Sequence, residues 1–200
     1  MLIGKLLKKL RENVEMNKYG RALFCVPLAV AKYIILKVKN GTRFHAELPA
    51  FFSPLTEITM EGKSRLSVKK RLKMHNGAKI RVRNGGILEI GKNFGMSNGC
   101  VVTAYEHIQI GDDVMLGPNV LIYDQDHDYR AEGGVAAMKF KTEPVRIGNN
   151  VWIGANTLIL RGSEIGDNCV IGGGCVIKGK YPANTVVVQK RITEVRSVNV

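Results

Sequence analysis

Two hundred residues with 45% hydrophobic content suit one domain plus an appendage and are enough for a core. The four cysteines, Cys25, Cys100, Cys169 and Cys175, show neither zinc-ligand spacing nor a disulfide framework, so a reducing cytoplasm is the expected setting. The net charge of +13 is uneven: residues 1–83 hold 19 Lys and Arg against 5 Asp and Glu, and residues 84–200 hold 11 against 12. The N-terminal part therefore calls for an anionic partner. No nucleic-acid-binding motif accompanies the charge, and a membrane surface or polyanionic glycan fits better.

Residues 1 to about 40 read as helical. Leu2, Ile3, Leu6, Leu7 and Leu10 recur at helical spacing with Lys5, Lys8, Lys9 and Arg11 between them. Such a basic amphipathic helix either lies in a membrane interface or packs on protein. Ala22 to Val38 is more apolar, but Lys32 and Lys37 interrupt it and its 17 residues are marginal for a span, so a buried or interfacial helix is expected. Phe51-Phe52 reads as an aromatic plug over whatever follows. From Ile58 to Leu88 short apolar-polar-apolar runs predict strands with a degenerate repeat.

The repeat becomes regular from Ile90: Ile90, Met96, Val102 and Ile108 follow at six-residue steps. Ile110 then restarts the phase two residues late, which predicts a small bulge at Glu106-His107. Leu116 and Ile122 continue the series. Ile147, Ile153, Ile159, Ile165, Ile171 and Ile177 complete it, with Gly after most of the Ile residues. A six-residue period is neither helical nor alternating. It predicts a β-solenoid whose Ile residues stack coil on coil. Cys100, Cys169 and Cys175 fall at fifth-place positions that take small side chains, so they are expected in the core. Ile147 lies 25 residues beyond Ile122, where one step needs six, so 19 residues are extruded as a loop around 128–144. Long loops in compact folds are usually functional.

These residues, notably Val151-Trp152-Ile153-Gly154-Ala155-Asn156 and Val170-Ile171-Gly172, resemble the hexapeptide-repeat acyltransferases, in particular the galactoside and maltose O-acetyltransferase group. The resemblance covers about Ile90 to Val188. It implies a mainly β, left-handed parallel β-helix, with an N-terminal helical segment and cap over 1–57, the β-helix over 58–188 and a C-terminal tail or strand over 189–200. It further implies a homotrimer, acetyl-CoA as co-substrate and no metal. The acceptor would be a sugar hydroxyl of a surface polysaccharide or its precursor. Rival readings are an N-acyltransferase on an amino sugar or amino acid, and a non-catalytic scaffold.

By the same resemblance His127, at the root of the loop in Tyr123-Asp124-Gln125-Asp126-His127-Asp128-Tyr129, is the catalytic base. An imidazole titrates near neutrality and can take a hydroxyl proton. Asp124, Asp126 and Asp128 are the carboxylates that could orient it, and Asp126 and Asp128 are also expected near substrate. The Asp-x-Asp-x-Asp run lacks the Gly and terminal Glu of a calcium loop. His107 is the rival base. Zinc held by three histidines is unsupported, because only His107 and His127 lie in the regular repeat. Asn98 is expected at the acceptor, and Trp152 beside the cofactor's pantetheine arm. Gly154, Ala155, Gly172 and Gly173 would line that arm. Lys178-Gly179-Lys180 and Gln189-Lys190-Arg191 replace the family's usual residues near the last coils, so Lys178 or Lys180, or else Lys190 with Arg191, are the expected cations for the cofactor phosphates.

Overall fold

A computed structural model describes residues 18–190 and 194–196. The expected amphipathic helix over Leu2 to Arg11 lies outside the described residues, as does Arg191. The chain forms a parallel β-solenoid with three faces, here A, B and C. Faces A and B each stack seven strands and face C stacks six. The first coil consists of β1 (Phe44–Ala46, face A), β2 (Phe51–Phe52, face B) and β3 (Glu57–Met60, face C). Each later coil repeats that order, and every rung pairs in parallel with the one before.

The solenoid thus begins at Phe44, and the boundary expected at residue 58 falls inside the first coil. The reason lies in the coil length. Phe44 pairs with Leu66 and Leu66 with Leu88, a 22-residue coil, whereas Ile147 pairs with Ile165, an 18-residue coil. Apart from the three-residue β1, the early face A and face C strands are four residues long, and they send two side chains inward. Leu66 and Val68, Ile80 and Val82, and Leu88 and Ile90 are all buried. Between these doublets the six-residue step survives, as in Val68, Met74, Ile80. The doublets hide it from a search for strict hexads.

The same device corrects the expected bulge at Glu106-His107. Ile108 and Ile110 form another doublet in the strand His107–Ile110, and both are buried. Phe51-Phe52 is also not a plug. Phe52 is buried within the first coil, and helix α1 (Lys18–Asn40) covers the open end instead. Ala29 and Leu36 face inward, and the Tyr33 ring lies 5.8 Å from that of Phe44. Lys32 Nζ donates to the carbonyl and hydroxyl oxygens of Thr56 at 2.6 and 2.8 Å, and burial lowers its pKa. The helix runs through Pro27, and no described helix is long and apolar enough to cross a membrane.

The corners set how closely the coils stack. At the A/B edge a column of glycines, Gly91, Gly111, Gly148 and Gly166, has no room for a Cβ. On Gly148 it would lie 2.7 Å from the Asp167 backbone nitrogen, and on Gly166 2.4 Å from that of Ala183. Two residues on, Asn93, Asp113, Asn150, Asn168 and Asn184 take left-handed backbone conformations. Asn tolerates these better than most residues. Its amides also bond along the column, with Asn150 donating to Asn168 at 2.9 Å and Asn168 to Asn184 at 3.1 Å.

At the C-terminal end, face C stops at Val176–Ile177 among the described residues. Gln189 completes it with a side chain. Its Oε1 accepts from the Val176 N–H at 2.9 Å and its Nε2 donates to the Val176 carbonyl at 2.7 Å, as a neighbouring peptide would.

Candidate active site

The extruded segment is a β-hairpin. The strand Gln125–His127 runs antiparallel to Phe140–Thr142, and a short 3-10 turn, Gly134–Ala137, lies in the loop between them. The chain leaves the solenoid at Asp124, somewhat earlier than expected, and rejoins it at Val145. Asp124 fixes the exit. Its carboxylate is fully buried and accepts from the backbone N–H groups of Tyr105 and Glu106, each at 2.8 Å, in the preceding coil. Burial pushes its carboxyl above the usual carboxylate range against the pull of those donors.

A raised folded-state pKa means that ionising Asp124 costs the folded chain stability. The contribution is present below the unfolded value, about 3.9, and is lost as pH rises through the folded one. Urea midpoints followed from acid to neutral pH should therefore fall more steeply for the wild type than for Asp124→Asn. Equal slopes would mean that Asp124 does not titrate differently in the folded state.

Along the outgoing strand, neighbouring side chains point to opposite faces of the ribbon. His127 is exposed and pairs directly across from Phe140, with ring centroids 4.6 Å apart. Phe140 in turn stacks on Tyr105 at 4.6 Å. This aromatic row holds the imidazole at the solvent edge. Asp126 is on the opposite face, where its carboxylate meets Arg161 Nε at 2.7 Å. Asp128 pairs with Lys141 at 3.1 Å, an interaction that lowers its pKa. Asp124 is turned inward. Among the described residues, no carboxylate lies within hydrogen-bond or ion-pair distance of His127, so none of the three expected partners orients it in this conformation.

All of these groups belong to the C/A edge, where Lys178 also sits, exposed, in the corner before Lys180–Tyr181. The remaining candidates belong to the B/C edge. Asn98, Ala155 and Gly173 occupy corners of one column, with Pro118 between the first two. The Asn119 N–H donates to the Asn98 carbonyl at 2.9 Å, and Gly174 N–H to that of Ala155 at 2.8 Å. Asn98 is exposed and Gly99, not Asn98, takes the left-handed conformation. Trp152 projects from face B beside this edge and is 56% exposed. Gly154 lies flat against the next coil, since a Cβ there would be 2.5 Å from the Gly173 nitrogen. Gly172 is the next corner down, and the exposed Lys190 follows Gln189 at the same edge. The candidate residues of a single chain thus fall on two edges, with face C between them.

His107 Nε2 lies 2.9 Å from Glu89, at the start of the face A strand that follows Tyr105 and Glu106 at the C/A edge. Cys100, Cys169 and Cys175 are buried in the core, and burial raises the Cys100 thiol. Among the described residues no three His, Cys, Asp or Glu side chains group as a metal site. Grooves of about 580 and 760 Å³ lie along face A and the A/B side, and neither contains a candidate residue. Sequence reasoning missed Arg161, Glu143, Phe140 and Tyr105. Arg161 is 35 residues from Asp126, and no spacing rule links them.

Residues 144–179 match the family model described as bacterial transferase hexapeptide (six repeats). A solved maltose O-acetyltransferase from Clostridium difficile 630 is 38% identical, covering 61% of this chain and 67% of that one, with a TM-score of 0.50. The chain belongs to the hexapeptide-repeat transferase family. The galactoside O-acetyltransferase of Escherichia coli K12 is 33% identical over 58% of this hexapeptide-repeat chain and 56% of its own length. The chain thus spans little more than half of that curated relative. A hexapeptide-repeat acetyltransferase from Vibrio cholerae, solved with acetyl coenzyme A, shares the fold at 21% identity and a TM-score of 0.51, covering 78% of this chain and 70% of that one.

Proposed function

We infer that this hexapeptide-repeat protein is an acetyl-CoA-dependent O-acetyltransferase that acts on a sugar hydroxyl of a surface polysaccharide or its precursor. The observation that carries the reading is the placement of His127. It stands exposed on a hairpin anchored to the solenoid by Asp124, with its ring braced by Phe140. In the step envisaged, the imidazole takes the hydroxyl proton while the sugar oxygen attacks the thioester carbonyl. The C–S bond breaks, and the proton passes to the departing thiolate. The products are the O-acetyl sugar and free CoA. The relatives named as galactoside and maltose O-acetyltransferases support a sugar acceptor.

The division of candidates between two edges supports a homotrimer in which the C/A edge of one copy meets the B/C edge of the next. The pantetheine arm would run along Gly154, Ala155, Gly172 and Gly173 beside Trp152, with Lys178 and Lys190 available to the phosphates from two different copies. Asn98 would face the acceptor across from His127. Outward residues of face B support the assembly, because Met115, Trp152 and Val186 form an exposed apolar stripe. The deciding experiment is thiol release from acetyl-CoA across a panel of sugars, amino sugars and lipid-linked sugars. Release only with amino acceptors would move the assignment to N-acyl transfer. No release with any acceptor would leave a scaffold.

The basic N-terminal part supports work at the inner face of a membrane. On α1 the residues Leu28, Ile34, Ile35 and Val38 point away from the solenoid, with Lys39 beside them, while Lys37 donates to the Phe44 carbonyl at 3.0 Å. Each cation near an anionic surface is worth about 1 kcal/mol, and salt screens it. The protein should therefore co-sediment with anionic vesicles at low salt, be released by high salt and ignore neutral vesicles. Equal binding to neutral vesicles would remove charge as the basis of docking, and binding to neither would remove the membrane from the assignment.

A further inference from the structure

We propose that Arg161 is a positioning residue for His127, a buttress that reaches from the following coil to both arms of the catalytic hairpin. The inference rests on His127 being the base. Arg161 occupies the corner between Leu158–Ile159 and Glu164–Ile165. Its Nε meets Asp126 Oδ2 at 2.7 Å, and its Nη1 meets Glu143 Oε2 at 3.1 Å. Asp126 is on the outgoing arm, next to His127, and Glu143 follows the returning arm. The Arg161 side chain is only 22% exposed. Its planar fork can serve two carboxylates at once, which a lysine ammonium does less well.

The backbone beneath is built for the same contact. Gly162 N–H donates to the Glu143 carbonyl at 3.2 Å. A Cβ on Gly162 would lie 2.3 Å from the Glu143 carboxyl carbon, so only glycine lets that side chain fold over the corner. On the opposite face of the ribbon, Tyr105 of the preceding coil supports Phe140 and through it His127. The hairpin is held between two coils, by aromatic contact on one side and by charge on the other. Without the cation, Asp126 and Glu143 would converge with nothing between them. Partly exposed ion pairs add little to global stability. Placement of a base is far more sensitive, and an error of about 1 Å can cost 10²-fold.

The test combines kinetics with amide exchange on the full-length protein, using acetyl-CoA and the best sugar from the acceptor panel. Arg161→Gln should lower kcat by roughly 10- to 100-fold, with the KM for acetyl-CoA within about 2-fold, because the residues expected to hold the cofactor's pantetheine arm lie on another edge. Arg161→Lys should recover part of the loss. In a His127→Ala background, Arg161→Gln should cause no further loss. The hairpin amides of Asp128 and Glu143 should exchange faster in Arg161→Gln, while those of the solenoid stay unchanged. Full activity in Arg161→Gln beside an inactive His127→Ala overturns the proposal, as does an equal loss in both backgrounds, which would put Arg161 on the substrate itself. An active His127→Ala with loosened hairpin amides would refute the assignment of the base while leaving the buttress. Unchanged amides would refute the buttress, whatever the kinetics.

Discussion

His127→Ala is expected to lower turnover by about 10²–10⁴-fold, the usual worth of general acid–base catalysis. The loss should fall on kcat more than on the KM for acetyl-CoA, because the imidazole is on the C/A edge and the glycines expected to line the cofactor are on the B/C edge. Stability should change little. The side chain is exposed, and what it gives up is one ring contact with Phe140, of about 0.5–1.5 kcal/mol. Steady-state thiol release and a thermal melt on the same preparation separate the two effects. If turnover stays within a few-fold of the wild type, the base is elsewhere. His107→Ala is then the next variant, although Glu89 already occupies its Nε2.

The second large effect is structural. Gly148→Val should destabilise the fold by about 3 kcal/mol or more, at or beyond the upper end of ordinary overpacking. The clash cannot be relieved by a side-chain rotation alone. The Cβ would lie 2.7 Å from the Asp167 nitrogen and 2.8 Å from the Gly166 carbonyl carbon, both backbone atoms of the next coil. Moving them would break the Gly148 N–H bond to the Ile165 carbonyl, now 2.8 Å. A shift of that size lowers the melting temperature of a chain this long by roughly 10 °C. Gly95→Val, where an added Cβ meets nothing within 4 Å, is the control and should melt close to the wild type. Equal melting of the two would mean that the glycine column does not set the coil spacing.

The contrast between these positions shows what the sequence carries. Ile147 to Ile177 announces its fold because one inward side chain per strand gives one apolar residue per six. Phe44 to Ile110 builds the same fold with inward doublets, so the coils lengthen to 22 and then 20 residues and the pattern is read as degenerate. His127 was legible from the gap in the repeat, which any extrusion must leave. Its surroundings were not. Asp126 is adjacent in sequence yet points to the opposite face, while Phe140 and Arg161, distant in sequence, complete the hairpin's support. Strand alternation excludes the neighbour and chain return supplies the partner. The division of the candidates between two edges also escaped linear reading, because a six-residue step does not by itself say which corner a residue turns.

The change in coil length and the Gln189 side chain together limit how the molecule can polymerise. A parallel ladder is a template for its own growth, and an open end invites another molecule to add the next rung. Here the broad end is a 22-residue coil lidded by α1, while the last pairing step, Ile165 to Tyr181, spans 16 residues. A second copy arriving head to tail would offer a wide coil to a narrow one, and its strands could not continue all three faces in register. At the last face C strand, the Val176 peptide it would need is already occupied by Gln189. Among the described residues, shape and one amide thus oppose fibre growth from the ends.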